Sequence, residues 1–222
     1  MGAVVQMLPW IRVYAHMESV DIALCLAMDV SASVSFEEFA LMANGTAAAL
    51  RDPGVLAAAT GGPRRAAAIA LLLWSGTGQQ DLAVAWTRLD GEDSAERLAA
   101  AIEAVPRLPQ AGATALGEGM AAGLAVLARC PAEATRLVMD VSGDGRHNQG
   151  RPPVPVRDLA VEAGITINGL AILNEEPDLL AHYAAEVIGG PGAFAMECND
   201  TIDFADAILR KLRRELGGSL VV

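Results

Sequence analysis

The sequence predicts an α/β fold: a doubly wound, mostly parallel six-stranded sheet with one antiparallel edge strand and helices on both faces. Three observations predict it. Short apolar runs alternate with segments of helical period, the pattern of strands joined by helical crossovers. Runs such as Ala66–Trp74 are apolar almost throughout, as strands covered on both faces are. Polar side chains then fall at the ends of the first and fourth runs, where open α/β sheets bind ligands.

Val20–Met28 is the first strand. Ser35-Phe36-Glu37-Glu38 fits a capping box, and Phe36–Arg51 follows as a helix with Phe36, Phe39 and Ala40 on one face. Asp52-Pro53-Gly54 breaks that helix, and Val55–Ala59 reads as one further turn. Ala66–Trp74 is the second strand and Asp81–Trp86 the third. The short turn between them permits an antiparallel hairpin at the sheet edge. A helix from Asp93 or Ser94 to about Ala104 precedes a loop, Pro106–Gly112, and a helix over Thr114–Arg129. The remaining strands are Arg136–Val141, Ile165–Ile172 and Ala193–Met196. They alternate with helices at Val156–Ala163, Pro177–Ile188 and Thr201–Leu216, the last with Ile202, Ala205, Ile208, Leu209 and Leu212 at helical spacing.

The 222 residues carry no internal repeat and no low-complexity linker, so the chain reads as one domain over 18–222. Residues 1–17 read as a remnant or a poorly ordered segment; they lack the basic start and small-residue cleavage site of a signal peptide. That leaves the compartment open. No apolar run reaches the ~18 residues of a membrane span. A net charge of -11 argues against binding nucleic acid, because such a surface repels a phosphate backbone. The same charge suits a protein that attracts divalent cations. Cys25, Cys130 and Cys198 form no Cys-x-x-Cys pair. Cys25 reads as a small buried hydrophobe, and spacing leaves a Cys130–Cys198 pairing open.

The chemistry gathers at Asp29-Val30-Ser31-Ala32-Ser33. On an extended backbone Asp29, Ser31 and Ser33 point the same way, and in a curling loop they surround one point. Hard cations such as Mg²⁺ take oxygen ligands in near-octahedral array. Thr114, at a predicted helix start, and Asp144, after the fourth strand, belong at the same sheet edge. Ser31, Ser33 and Thr114 would touch the cation, while Asp29 and Asp144 would hold its waters and orient the serines. Each residue also has a plainer role open to it. Thr114 can cap a helix, Asp144-Gly145 can be a tight turn, and Asp140 can bond neighbouring loops. His147-Asn148-Gln149 invites a catalytic reading, with a solvated polar loop as the alternative. Trp74 suits the core or a pocket wall.

Asp29-x-Ser31-x-Ser33, then Thr114, then Asp144-Gly145 resembles the metal-ion-dependent adhesion site of von Willebrand factor A-type domains, integrin inserted domains among them. More narrowly, the chain is similar to a bacterial family of uncharacterised von Willebrand factor A-like proteins. Val20–Leu24, Trp74-Ser75-Gly76, Val141–Gly145, Asn148–Pro152 and Gly164–Leu170 carry that resemblance. It implies a metal site at Asp29, Ser31, Ser33, Thr114 and Asp144. It also implies cation-dependent binding, through Mg²⁺ or alternatively Ca²⁺ or Mn²⁺, of a protein partner that presents a carboxylate. Members of that family commonly look exported.

A rival reading is a Mg²⁺-dependent phosphohydrolase with Asp29 as nucleophile. Against it, Ser31 stands where a second Asp would supply the acid, no Lys lies near either motif, and no GxxxxGK[ST] loop occurs. No complete catalytic constellation is present in the sequence. A third reading is a structural domain or adaptor without metal.

Overall fold

The computed structural model describes residues 17–107, 112–174 and 176–217. The expectation for the N-terminal segment therefore lies outside the described residues, apart from Met17, as does most of the Pro106–Gly112 loop.

Six strands form one sheet: β1 (Val20–Asp29), β2 (Ala67–Trp74), β3 (Gln80–Leu89), β4 (Ala134–Gly143), β5 (Ile165–Ile172) and β6 (Ala195–Cys198). Their order is β3-β2-β1-β4-β5-β6. All neighbours pair in parallel except β2 and β3, which form the antiparallel edge. The chain first winds outward from β1 to β3, then crosses to β4 on the other side. The switch in winding direction thus falls between β1 and β4, where loops diverge and leave a crevice at the strand ends.

Side-chain alternation along β1 divides the core. Leu24, Leu26 and Met28 face α1 (Phe36–Arg51), α2 (Pro53–Thr60), α3 (Glu92–Glu103) and α7 (Phe204–Gly217). Ala23, Cys25 and Ala27 face α4 (Leu116–Leu127), α5 (Pro153–Glu162) and α6 (Leu179–His182). Among the described residues, no helix is long and apolar enough to cross a membrane. All three cysteines are free thiols; burial pushes Cys25 up to about 12, and the nearby Asp140 charge adds to it.

The capping box forms as its residues predict. Ser35 Oγ accepts from Glu38 N at 3.2 Å, and the Glu38 carboxylate accepts from Ser35 N at 2.7 Å. The apolar face of α1 differs from the expectation. Phe39, Met42, Ala43, Ala47 and Leu50 are buried, whereas Ala40 is exposed and Phe36 is 66% exposed. Phe36 is the first residue of the helix, and the Arg107 guanidinium lies over its ring at 4.9 Å from the centroid.

Three other segments depart from the spacing. The helix expected from Thr114 begins at Leu116. The helix expected over Pro177–Ile188 is only α6 followed by a π-turn, Tyr183–Val187. Ile202 belongs to a 3₁₀ turn, Thr201–Asp203, whose tighter winding turns it to solvent while Ile208 and Leu212 face the core.

Candidate metal site

Asp29 is the last residue of β1 and is fully buried. The chain turns at once: Ser31 N donates to Asp29 Oδ1 at 2.7 Å, so the carboxylate shapes the loop that carries the serines. Ser31 Oγ and Ser33 Oγ lie 3.2 Å apart. Arg107 ties the loop from outside, donating from Nη2 to the carbonyls of Ser31 and Val34.

The other two loops meet this turn. Ser33 Oγ donates to Asp144 Oδ1 at 2.7 Å, across 111 residues of sequence. Thr114 Oγ1 donates to Ser31 Oγ at 3.5 Å. Asp29, Ser31, Thr114 and Asp144 are buried and Ser33 is exposed, so the cluster opens to solvent on the Ser33 side. The structure thus brings all five predicted residues together.

Ala115, not Thr114, is the N-cap of α4, and no side chain caps that helix. Thr114 is instead clamped in the loop. Its N–H donates to Asn148 Oδ1 at 2.9 Å, and its carbonyl accepts from Asn148 N at 3.0 Å. The stretch around His147 therefore holds the Thr114 loop in place. Gln149 extends the clamp by accepting from Thr77 N at 2.9 Å. Ser75, buried at the end of β2, supports the same loop: Gly112 N donates to its Oγ at 2.8 Å and Ala115 N to its carbonyl at 3.0 Å. Trp74 is wholly buried and packs against α4 as core. Asp140 points to the opposite face of the sheet, where it pairs with Lys211.

Electrostatics set Asp29 apart. Burial raises its pKa to about 8, and the charge of Asp144 pushes the same way. The N–H and hydroxyl of Ser31, then the charge of Arg107, pull it down without prevailing. Asp29 Oδ2 is buried and has no hydrogen-bond partner among the described residues. A carboxylate held in this way is short of positive charge. Among the described residues no three His, Cys, Asp or Glu side chains cluster as metal ligands. The donor set here is hydroxyl and carboxylate oxygen, which suits Mg²⁺, Ca²⁺ or Mn²⁺ rather than a soft metal.

Sequence reasoning missed Arg107, Asn148 in its clamping role, and Tyr183. The hydroxyl of Tyr183 is buried beside Asp29 without a partner. Burial first, then the charges of Asp29 and Asp144, raise its pKa well above the ordinary phenol value, so it stays a donor.

A family model described as "Protein of unknown function (DUF1194)" matches residues 19–220. The chain belongs to the DUF1194 family. A search of curated proteins finds no match. Among solved structures, this DUF1194 chain is similar to proximal thread matrix protein 1 from the mussel byssus. The TM-score is 0.60 at 15% identity, covering 88% of this chain and 46% of that one. The pilus adhesin SpaC from Lactobacillus rhamnosus GG matches at TM-score 0.64 and 13% identity, over 89% of this chain and 30% of the adhesin. An aerotolerance-related membrane protein from Bacteroides fragilis matches at TM-score 0.54 and 12% identity, over 87% of this chain and 98% of that one. The chain thus spans under half of the first two proteins. These neighbours are von Willebrand factor A-domain proteins, and the DUF1194 chain shares their fold. A further structure of the mussel protein, at TM-score 0.57 and 14% identity over 88% of this chain and 47% of that one, has a zinc-occupied adhesion-site motif.

Proposed function

We propose that this chain is a divalent-cation-dependent protein-binding module that recruits an acidic side chain of a partner to a bound Mg²⁺. The observation that carries the reading is the meeting of three loops, with Ser33 2.7 Å from Asp144 and Thr114 3.5 Å from Ser31. Ser31, Ser33 and Thr114 would hold the cation through their hydroxyls. Asp29 and Asp144 would accept from its waters and from the serines. A cation bound mainly by neutral oxygens keeps a strong pull on one more anionic ligand, which a partner's carboxylate supplies. Exposed Ser33 lies on the side from which such a partner approaches. The adhesin and byssus neighbours support a binding role by analogy of fold only.

The test is a pull-down from the source organism's extract in Mg²⁺ buffer, with and without chelator, using the natural chain and Ser31→Ala. The proposal expects a partner recovered only by the natural chain and only with the cation. Recovery that is indifferent to chelator and to Ser31→Ala would contradict it.

A further inference from the structure

Among the described residues, two buried oxygen atoms on this side of the sheet have no hydrogen-bond partner: Asp29 Oδ2 and the Tyr183 hydroxyl. They face the same spot. A Cβ built on Gly143 would lie 2.8 Å from the Tyr183 hydroxyl and 2.9 Å from Asp29 Oδ2. Any side chain at that position would separate the two groups, and glycine leaves the space between them open.

A second glycine makes room for the ring. A Cβ on Gly169 would meet Tyr183 Cδ1 at 2.6 Å, closer than non-bonded carbon atoms approach. Neither Gly143 nor Gly169 is among the glycines with positive φ, so clearance and not backbone conformation accounts for them. Gly143 ends β4, and Gly169 lies on the adjacent strand β5, in register with Val141. Together they clear a slot across two strands that leads to the metal-site loop. The π-turn Tyr183–Val187 follows α6 where the chain would otherwise continue as α-helix, and Tyr183 is its first residue. Such turns re-aim a side chain at some cost in helix regularity, and they gather at functional sites.

We propose that Tyr183 is a positioning residue of the metal site, its hydroxyl donating to Asp29 Oδ2 and fixing the orientation of that carboxylate. The two atoms make no direct hydrogen bond in this structure, so the donation runs across one water, a span the shared Gly143 position allows. Asp29 Oδ1 is already committed to Ser31 N, so the Tyr183 contact would lock the second oxygen and leave the carboxylate one orientation. The inference rests on the metal-site reading for its consequence, but the contact itself does not require a cation.

The test compares the natural chain with Tyr183→Phe, which removes one oxygen and keeps the ring in its slot. Crystal structures of both proteins without added metal report the contact. The natural chain should show the hydroxyl bonded to Asp29 Oδ2 or to a water that bonds it, and the variant should show Asp29 turned or split between rotamers. Calorimetry with Mn²⁺ should then find affinity reduced by about tenfold in the variant, the usual size of such supporting contacts. An unchanged Asp29 in the variant, or a Tyr183 hydroxyl bonded elsewhere in the natural chain, would overturn the proposal. So would equal Mn²⁺ affinity. Should the natural chain bind no Mn²⁺, the metal reading fails, and the two crystal structures still decide the contact.

Discussion

Asp29 carries more of the account than any other residue. It ends a buried strand, shapes the serine turn through Ser31 N, and takes up a proton far more readily than an ordinary aspartate, with a pKa of about 8. A cation and the waters it holds favour the ionised Asp29 carboxylate, so cation binding displaces a proton wherever the metal-free group is protonated. Below about pH 8 the affinity should weaken by up to about tenfold for each unit of pH lost, and above it the dependence should flatten. Stability of the metal-free fold follows the same shift. Because the fold holds this proton more tightly than the unfolded chain, stability should fall as pH rises from about 4 to about 8. Asp29→Asn should remove the pH dependence of binding together with most of the affinity. Titration calorimetry of both proteins at several pH values checks this; an affinity flat between pH 6 and 8 in the natural chain would contradict it. At this scale the sequence was legible where chemistry follows spacing. Asp29, Ser31 and Ser33 announce themselves by alternation, and Asp144 by its place after a strand. Tyr183 gave no such signal, because nothing in the spacing of Tyr183-Ala184-Ala185-Glu186-Val187 distinguishes a π-turn from a helix.

Helix α7 shows where patterning misleads. Helical spacing puts Ile202, Ala205, Ile208, Leu209 and Leu212 on one face; Ile208 and Leu212 are buried, Leu209 is half-buried, and Ile202 and Ala205 are exposed. Two charged residues of the same helix, Lys211 and Glu215, are also buried against the sheet. The reason lies 71 residues earlier in sequence, in Asp140 on β4, whose carboxylate faces this side and pairs with the Lys211 ammonium. Lys211 Nζ also donates to Glu215 Oε1 at 2.8 Å, and Asn168 Nδ2 donates to the same oxygen at 2.9 Å. Burial alone would push the Lys211 pKa down, but the two carboxylates more than offset it and the net direction is up. This is the only lysine in the chain. Lys211→Met would leave two carboxylates facing each other in the core. We expect a loss of about 3–5 kcal/mol in urea unfolding at neutral pH, the usual cost of breaking a buried ion pair from one side. A loss under about 1 kcal/mol would mean the carboxylates reach solvent without Lys211. Sequence pattern locates such a helix correctly, but it cannot assign charged positions whose partners come from another strand.

For the whole molecule the sheet was readable in advance, including the antiparallel edge, because β1 and β2 are nearly continuous apolar runs and the other strands keep an apolar stretch between Gly, Pro or polar residues. The order of strands around β1 then decides what the loops can do. Winding outward to β3 and back across to β4 places the loops after β1 and β4 beside each other, and the segment entering α4 reaches the same crevice. Together these loops would hold a hard divalent cation. The most direct measurement is anomalous scattering from a crystal of the intact chain soaked in Mn²⁺. One strong peak is expected within about 2.0–2.3 Å of the hydroxyl oxygens of Ser31, Ser33 and Thr114, typical of a small oxygen-bound divalent cation. A peak confined to another part of the surface, or none at that triad, would contradict it.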